Sequence, residues 1–323
     1  MARSIFGFGA IEHRPDEPKT VNALSVKAYH FVGVDQVRSL QLDWSNWLSL
    51  AKSLANSAND TRNSEGLTMP LQIHQFPCRS DNYGFLAHEP DSELTACIDT
   101  PDADAINATL EEKGWRLTHI LNTHHHEDHT GANLLLKEHW ACTIVGAAND
   151  AERIPGIDVR VSEGDEYTFG SIAAKVFEVP GHTSGHIAYY FATEGVAFVG
   201  DTLFALGCGR LFEGTPAMMW SSLQKLMALP DETIIYCAHE YTQANAQFAL
   251  SVEPGNARLV ARSKEIDELR AQGLPTVPTT VGLERATNPF LRPMSESLQA
   301  TIGLSGADLV SVFAETRKRK DNF

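Results

Sequence analysis

Positive charge is in short supply in this chain. Its 26 Lys and Arg stand against 41 Asp and Glu, a formal net charge of −15 over 323 residues. A general binder of nucleic acid or of an anionic membrane needs the opposite balance, so neither class fits. Long apolar runs are missing too; none is long enough to span a bilayer. Cysteine is sparse, odd in number and scattered over Cys78, Cys97, Cys142, Cys208 and Cys237, with no C-x-x-C spacing. That argues against a disulfide framework and fits a reducing compartment. There is no Walker-type loop, and Gly7-Phe8-Gly9 is too short and too terminal for a nucleotide fingerprint. The first residues do not read as a secretory signal, and no internal repeat is visible.

What the chain does have is histidine in one place. Thr123 to His129 reads T-H-H-H-E-D-H, four imidazoles and two carboxylates in seven positions. A solvated loop has no need of so many metal-binding side chains. A tag would sit at a terminus and would not alternate with Asp and Glu. Zinc, iron and manganese accept imidazole nitrogen and carboxylate oxygen. In the pattern H-x-H-x-D-H, His124 and His126 can turn toward one ion while Asp128 and His129 turn toward a second. The run Leu117–Leu121 before it reads as a buried strand, and a helical pattern starts near Gly131-Ala132-Asn133. A strand end feeding a helix start is where open α/β folds place chemistry.

Three further apolar runs end in a small residue and then a ligand type. Ala174–Val179 leads to His182, Phe198-Val199-Gly200 to Asp201, and Thr233-Ile234-Ile235 to His239. Singly each is weak, because a lone His after a strand is more often a hydrogen-bonded structural residue. Behind an H-x-H-x-D-H loop the three make a constellation.

The organisation follows hydrophobic content of 43%, enough for one large domain or two smaller ones. Residues 69–240 alternate strands and helices. Ala96–Asp99 reads as a strand, Ala103–Lys113 as a helix, Val159–Phe191 as strand-rich, Met218–Leu229 as a helix and Thr233–Cys237 as a strand. This predicts an α/β sandwich, helices outside two sheets, with the strand ends at one edge. Over 241–323 the spacing turns helical, at Thr242–Val252, Ala257–Gln272 and Gly306–Lys320, with a Pro- and Thr-rich connector at Pro275–Pro289. The last helix closes on Arg317-Lys318-Arg319-Lys320. Residues 1–68 stand apart as an extension, with a helix expected over Val34–Ala55 and a polar linker over Asn56–Gly66.

The ordered set H-x-H-x-D-H, His, Asp, His resembles the metallo-β-lactamase superfamily and, within it, the glyoxalase II (hydroxyacylglutathione hydrolase) family. Gly200-Asp201-Thr202-Leu203-Phe204, Gly207-Cys208-Gly209-Arg210, Glu213-Gly214-Thr215, His239-Glu240-Tyr241-Thr242 and Asn288-Pro289-Phe290-Leu291-Arg292 all look like segments of that family. The likeness runs from about Pro70 to Phe323. It implies a metallo-β-lactamase-type αββα sandwich followed by a smaller C-terminal α-helical, glutathione-binding domain. It implies two divalent ions, zinc first, with iron or manganese as alternatives. His124, His126 and His182 would hold one ion, Asp128, His129 and His239 the other, and Asp201 would bridge them. In that pattern His125 is no ligand and His186 packs or orients one.

The implied reaction is hydrolysis of S-D-lactoylglutathione to D-lactate and glutathione by a metal-bridged hydroxide, the second step of methylglyoxal detoxification. Asp128 would also orient the nucleophile. The implied substrate contacts are Arg210, Phe212, Tyr241, Arg317 and Lys320, the last two on a glutathione carboxylate. Arg210 stands where Lys is common, and Phe212 where many members have Tyr, which removes one hydroxyl contact. The expected protein is a cytoplasmic monomer whose partner is a small molecule, neither nucleic acid nor membrane. Mitochondrial residence would require residues 1–68 to be a cleaved presequence, which their acidic content opposes. The alternatives are another hydrolase of the same fold or a mononuclear iron persulfide dioxygenase. The helical C-terminal portion and the basic terminal run speak against the first, and the complete second ligand set and the same helical portion against the second.

Overall fold

Strand β2 (Asn82–Glu89) shows how the architecture follows from the side chains. Alternate residues leave a strand on opposite faces. Phe85 and Ala87 join a core between two sheets, while Leu86 joins a second core beneath the helices. A strand buried on both faces must sit inside layers, and the computed structural model, which describes residues 70–323, has that layering. The helix expected over Val34–Ala55 and the linker over Asn56–Gly66 lie outside the described residues.

The first half runs β1 (Gln72–Cys78), β2, β3 (Leu94–Ile98), α1 (Ala103–Lys113), β4 (His119–Leu121), α2 (Glu127–Thr130), α3 (Asn133–Trp140), β5 (Thr143–Ala147) and β6 (Val159–Val161). These six strands form one sheet in sequence order, antiparallel from β1 to β3 and parallel from β3 to β6. Helix α1 keeps its expected bounds because both caps are encoded. Asp102 accepts from the backbone N–H of Asp104 and Ala105, and Gly114 closes the helix at φ 67°.

The second half runs β7 (Glu166–Phe169), β8 (Ile172–Glu178), β9 (Ile187–Phe191), β10 (Val196–Gly200), a small hairpin β11 (Leu203–Phe204) and β12 (Gly207–Cys208), α4 (Pro216–Met227) and β13 (Ile234–Cys237). The remainder is α5 (Thr242–Val252), α6 (Ala257–Ala271), β14 (Thr279–Thr280), α7 (Val281–Thr287), α8 (Glu296–Ile302) and α9 (Leu309–Asp321). The second sheet has the order β14-β13-β10-β9-β8-β7. Between the sheets pack Phe85, Ile98, Val176, Tyr189 and Phe198, and on the outer face Leu86, Cys97, Ile106, Leu110 and Leu136. The expected αββα sandwich with a helical C-terminal portion is therefore the observed fold.

Two local expectations change. The Pro275–Pro289 connector is not free of structure: Thr279 and Thr280 pair with Ile235 and Ile234 at the sheet edge, and the Thr280 hydroxyl then caps α7. The helix expected near Gly131–Asn133 does start at Asn133, but a separate short helix, α2, precedes it within the histidine stretch. Glu127 and Asp128 lie in the first turn of α2, where acidic side chains suit the helix dipole, so Asp128 and His129 ride on a helical turn rather than a loop.

A buried polar knot ties the C-terminal helices to the hairpin. The Glu284 carboxylate is fully buried. It accepts from Arg262, from Thr279 and from the backbone N–H of Leu206. Asn288 donates to the carbonyls of Phe204 and Gly207. Removing one partner of a buried pair leaves an uncompensated charge. Glu284→Ala should therefore lower unfolding free energy by about 3–5 kcal/mol in denaturant titrations, and loosen the 203–208 hairpin in hydrogen exchange.

Candidate metal centre

Four strand ends deliver the site. β4 leads into His124–His126, β8 into His182, β10 into Asp201 and β13 into His239. Gly200 ends β10 at φ 48°, a left-handed conformation, and a Cβ there would stand 2.5 Å from Thr123 Oγ1 and 2.8 Å from the His186 ring. Only glycine lets the chain turn there and present Asp201 inward.

The seven residues singled out by the sequence converge. His126 Nδ1 lies 3.1 Å from both His124 Nε2 and His182 Nε2, and Asp201 Oδ2 lies 3.4 Å from His182 Nε2. On the other side, Asp128 Oδ2 and Asp201 Oδ1 each lie 3.4 Å from His129 Nε2 and from His239 Nε2. Donors around a tetrahedral ion at 2.0–2.1 Å are about 3.3 Å apart, so both groups have the spacing a divalent ion requires. Within each of the groups His124–His126–His182 and Asp128–His129–His239, one donor atom per residue lies within 4.8 Å of the others. The donor set fits such ions in a second way. His129 Nε2 and Asp201 Oδ1 are buried with no hydrogen-bond partner, which is costly unless a cation completes them.

Four of the five donor histidines have their far nitrogen anchored. His124 Nδ1 meets Thr123 Oγ1 at 3.1 Å, His129 Nδ1 meets Asp99 Oδ2 at 2.8 Å, His182 Nδ1 meets the Arg210 carbonyl at 2.9 Å, and His239 Nδ1 meets Asp81 Oδ1 at 2.8 Å. Asn82 donates to Asp128 Oδ2 at 3.1 Å. Such partners fix ring orientation and tautomer. His186 does not join either donor group; its Nε2 accepts from the Asp201 backbone N–H at 3.0 Å and holds the β10 end in place. His125 points away, onto Asp150.

Sequence reasoning missed Asp99, Asp81 and Asn82. Asp99 carried a usable signal, since an apolar strand followed by Asp-Thr is also the pattern at Asp201-Thr202. Asp81 and Asn82 sit in a polar turn that looks like any other.

Electrostatics divide the imidazoles. Burial lowers the pKa of His124 and His182, so both stay neutral and keep a lone pair for an ion. Burial also opposes charge on His129 and His239, but Asp201 and its fellow carboxylates outweigh it and raise both. Asp201 is itself buried, yet His129 and His239 hold it well below the carboxylate range. The side where two carboxylates face two imidazoles thus attracts positive charge.

Of the expected substrate contacts, Phe212 and Tyr241 lie against donor histidines. Phe212, 60% exposed, sets its ring edge-on to His126 and His182. Tyr241 stacks on the His239 ring at 4.8 Å with an interplanar angle of 1°. Arg210 is exposed, 3.8 Å from Asp321. Lys320 is half-buried over Phe248, and its Nζ donates to the Ala244 carbonyl at 3.1 Å. Arg317 lies inside. It donates to the Cys208 carbonyl at 2.9 Å and pairs with Asp321 at 3.0 Å, so here it braces the β11–β12 hairpin. Asp99→Ala would free the His129 ring, and metal affinity measured by chelator competition should fall about 10- to 100-fold.

Comparison with known proteins adds the following. The family model for the metallo-beta-lactamase superfamily matches residues 98–239, and the model described as hydroxyacylglutathione hydrolase C-terminus matches residues 240–323. The hydroxyacylglutathione hydrolase of Maricaulis maris is 56% identical over 253 residues, covering 78% of this chain and 99% of that protein. The same-named protein of Methylococcus capsulatus is 55% identical, again covering 78% of this chain and 99% of the relative. Among solved structures, ETHE1 from Myxococcus xanthus superposes with a TM-score of 0.56 at 26% identity, covering 77% of this chain and 90% of that one.

Proposed function

The chain belongs to the hydroxyacylglutathione hydrolase family of the metallo-β-lactamase superfamily, and on that premise we propose how its residues divide the work. It is a thioester hydrolase that cleaves S-D-lactoylglutathione to D-lactate and glutathione, and it carries a divalent-metal site.

The finer reading is a centre for two ions, zinc first. The observation that carries it is the division of Asp201, whose Oδ2 faces His182 while its Oδ1 faces His129 and His239, each at 3.4 Å. One carboxylate turned toward two donor groups is what a bridging ligand needs. When bound, a pair of ions supplies Lewis acidity for a carbonyl and makes water a nucleophile near neutral pH. The chain supplies the rest. His124, His126 and His182 stay neutral as donors, Asp128 is held by Asn82 so that one oxygen aims inward, and Tyr241 shields the His239 ring from solvent. A thiolate is a fair leaving group, so no acid is needed opposite the donors.

Asp201→Ala removes a donor from both groups, so elemental analysis should show both equivalents falling together, with turnover of S-D-lactoylglutathione lost. One ion per chain in a fully active wild-type protein would sink the two-ion reading.

Half-buried Lys320 is the candidate for a glutathione carboxylate, with exposed Arg210, 3.8 Å from Asp321, as a second cation. Arg317, braced on Cys208, serves that carboxylate by holding the same helix. Burial, with Arg317 nearby, pulls Lys320 down to about 8. Below that pH the ammonium is charged and binds; above it the charge and the attraction are lost. KM for lactoylglutathione should therefore rise between pH 7 and pH 9 while kcat changes less. Lys320→Ala should begin with a KM about tenfold higher, the loss of about 1.4 kcal/mol of charge-assisted binding, and should lack this pH-dependent rise. A parallel rise in both proteins would assign it elsewhere.

A further inference from the structure

A charged network beside the metal centre belongs to neither donor group. Arg153 follows a short 3-10 turn at Ala148–Asp150. Its Nε donates to Asp150 Oδ1 at 2.7 Å, its Nη1 to Glu213 Oε1, and its Nη2 to Glu213 Oε2 and to Ser184 Oγ, each at 3.1 Å. Nη1 also lies 3.2 Å from His125 Nε2. A guanidinium has no acceptor, so that imidazole nitrogen accepts, and the ring proton sits on Nδ1 and is donated to Asp150 Oδ2 at 2.9 Å.

Four segments thus meet on one guanidinium: the histidine loop through His125, the 3-10 turn through Asp150, the His182 loop through Ser184, and the mouth loop through Glu213. Glu213 strengthens the tie, since its Oε2 also accepts from the Ser184 backbone N–H at 2.7 Å. There is no slack in the joint. The Asp150 carboxylate is fully buried, and a Cβ on Gly185 would stand 2.4 Å from its carboxyl carbon. The residues tied are the immediate neighbours of functional ones. His125 lies between His124 and His126, Ser184 lies two residues after His182, and Glu213 follows Phe212, whose ring rests on His126 and His182.

We propose that Arg153, acting with Glu213, is a positioning residue that holds the His124–His126–His182 donors in register with the Phe212 loop at the substrate mouth. The ring nitrogens stand 3.1 Å apart along His124–His126–His182, and these three side chains come from two separate loops. That spacing persists only while the two loops keep one register, and a fork of planar N–H groups on two carboxylates holds it with fixed geometry. A lysine offers the charge without the fork. Arg153 also lowers the Glu213 carboxyl to about 2, which keeps it ionised wherever the enzyme works.

This inference rests on reading those three histidines as one ion's ligands, and the test separates the two. Wild type, Arg153→Met, Arg153→Lys, Glu213→Gln and the Met/Gln double variant are loaded with zinc. Zinc release into a chelator is then timed, beside KM and kcat for S-D-lactoylglutathione and the melting temperature of each metal-free protein. Glu213 is partly exposed, so Glu213→Gln keeps the test open if Arg153→Met folds poorly. In Arg153→Met and Glu213→Gln, one of the two equivalents should leave about 10-fold faster or more, while the other keeps its wild-type rate. KM should rise more than kcat falls, Arg153→Lys should recover part of the loss, and the double variant should be no worse than Arg153→Met, because the pair acts as a unit. Wild-type release of both equivalents, equal acceleration of both in step with a fall in melting temperature, or additive effects in the double variant would overturn the assignment. A wild-type protein that takes up no zinc would instead overturn the ligand reading beneath it.

Discussion

One buried carboxylate sets the terms for the rest of the site. Asp201 lies 3.4 Å from the inward nitrogens of His129, His182 and His239, and it is almost wholly withdrawn from water. An ion this deep costs several kcal/mol unless opposite charge surrounds it. The imidazoles are its complement, because burial drives His124 and His182 neutral and so keeps a lone pair available to a cation. A divalent cation held among these oxygens and ring nitrogens would answer the charge of the one and the lone pairs of the other. The donors need rigid mounts to wait in that arrangement, and strand ends of two packed sheets provide them.

The mounts themselves are braced from the C-terminal portion. Asp201 is followed at once by the β11–β12 hairpin, and that hairpin is gripped from three sides. Glu284 accepts from the Leu206 N–H, Asn288 donates to Phe204 and Gly207, and Arg317 donates to Cys208. Glu240, next to the candidate donor His239, accepts from Tyr83 on β2 and from Thr276 beyond α6. The helices beyond residue 240 thus shape the centre as well as its mouth. This also explains the inward course of Arg317: the same side chain cannot both brace Cys208 and reach far into solvent, so Lys320, one turn on, is left as the more accessible cation.

Much of this was legible along the chain because it is local. An apolar run, a small residue and a ligand type recur at His182, Asp201 and His239, and each pattern lies within about ten residues. Helix α1 could be bounded from Asp102 and Gly114 alone. The misread connector at Pro275–Pro289 shows the limit. Prolines and threonines there signal an irregular segment, yet Thr279 and Thr280 form a strand because the edge of β13 lies open beside them. Their own sequence carries no trace of that edge.

The sequence by itself determined the donor chemistry, the order in which donors are delivered and the layered α/β plan, since these follow from residue type and short-range periodicity. Only the tertiary structure decided which oxygen of Asp201 faces which histidines, and which groups hold each ring still. Asp99 reaches His129 across 30 residues and Asp81 reaches His239 across 158. The first is set by the pairing of β3 with β4 inside one sheet and the second by how the two sheets meet, and both emerge only when the core packs.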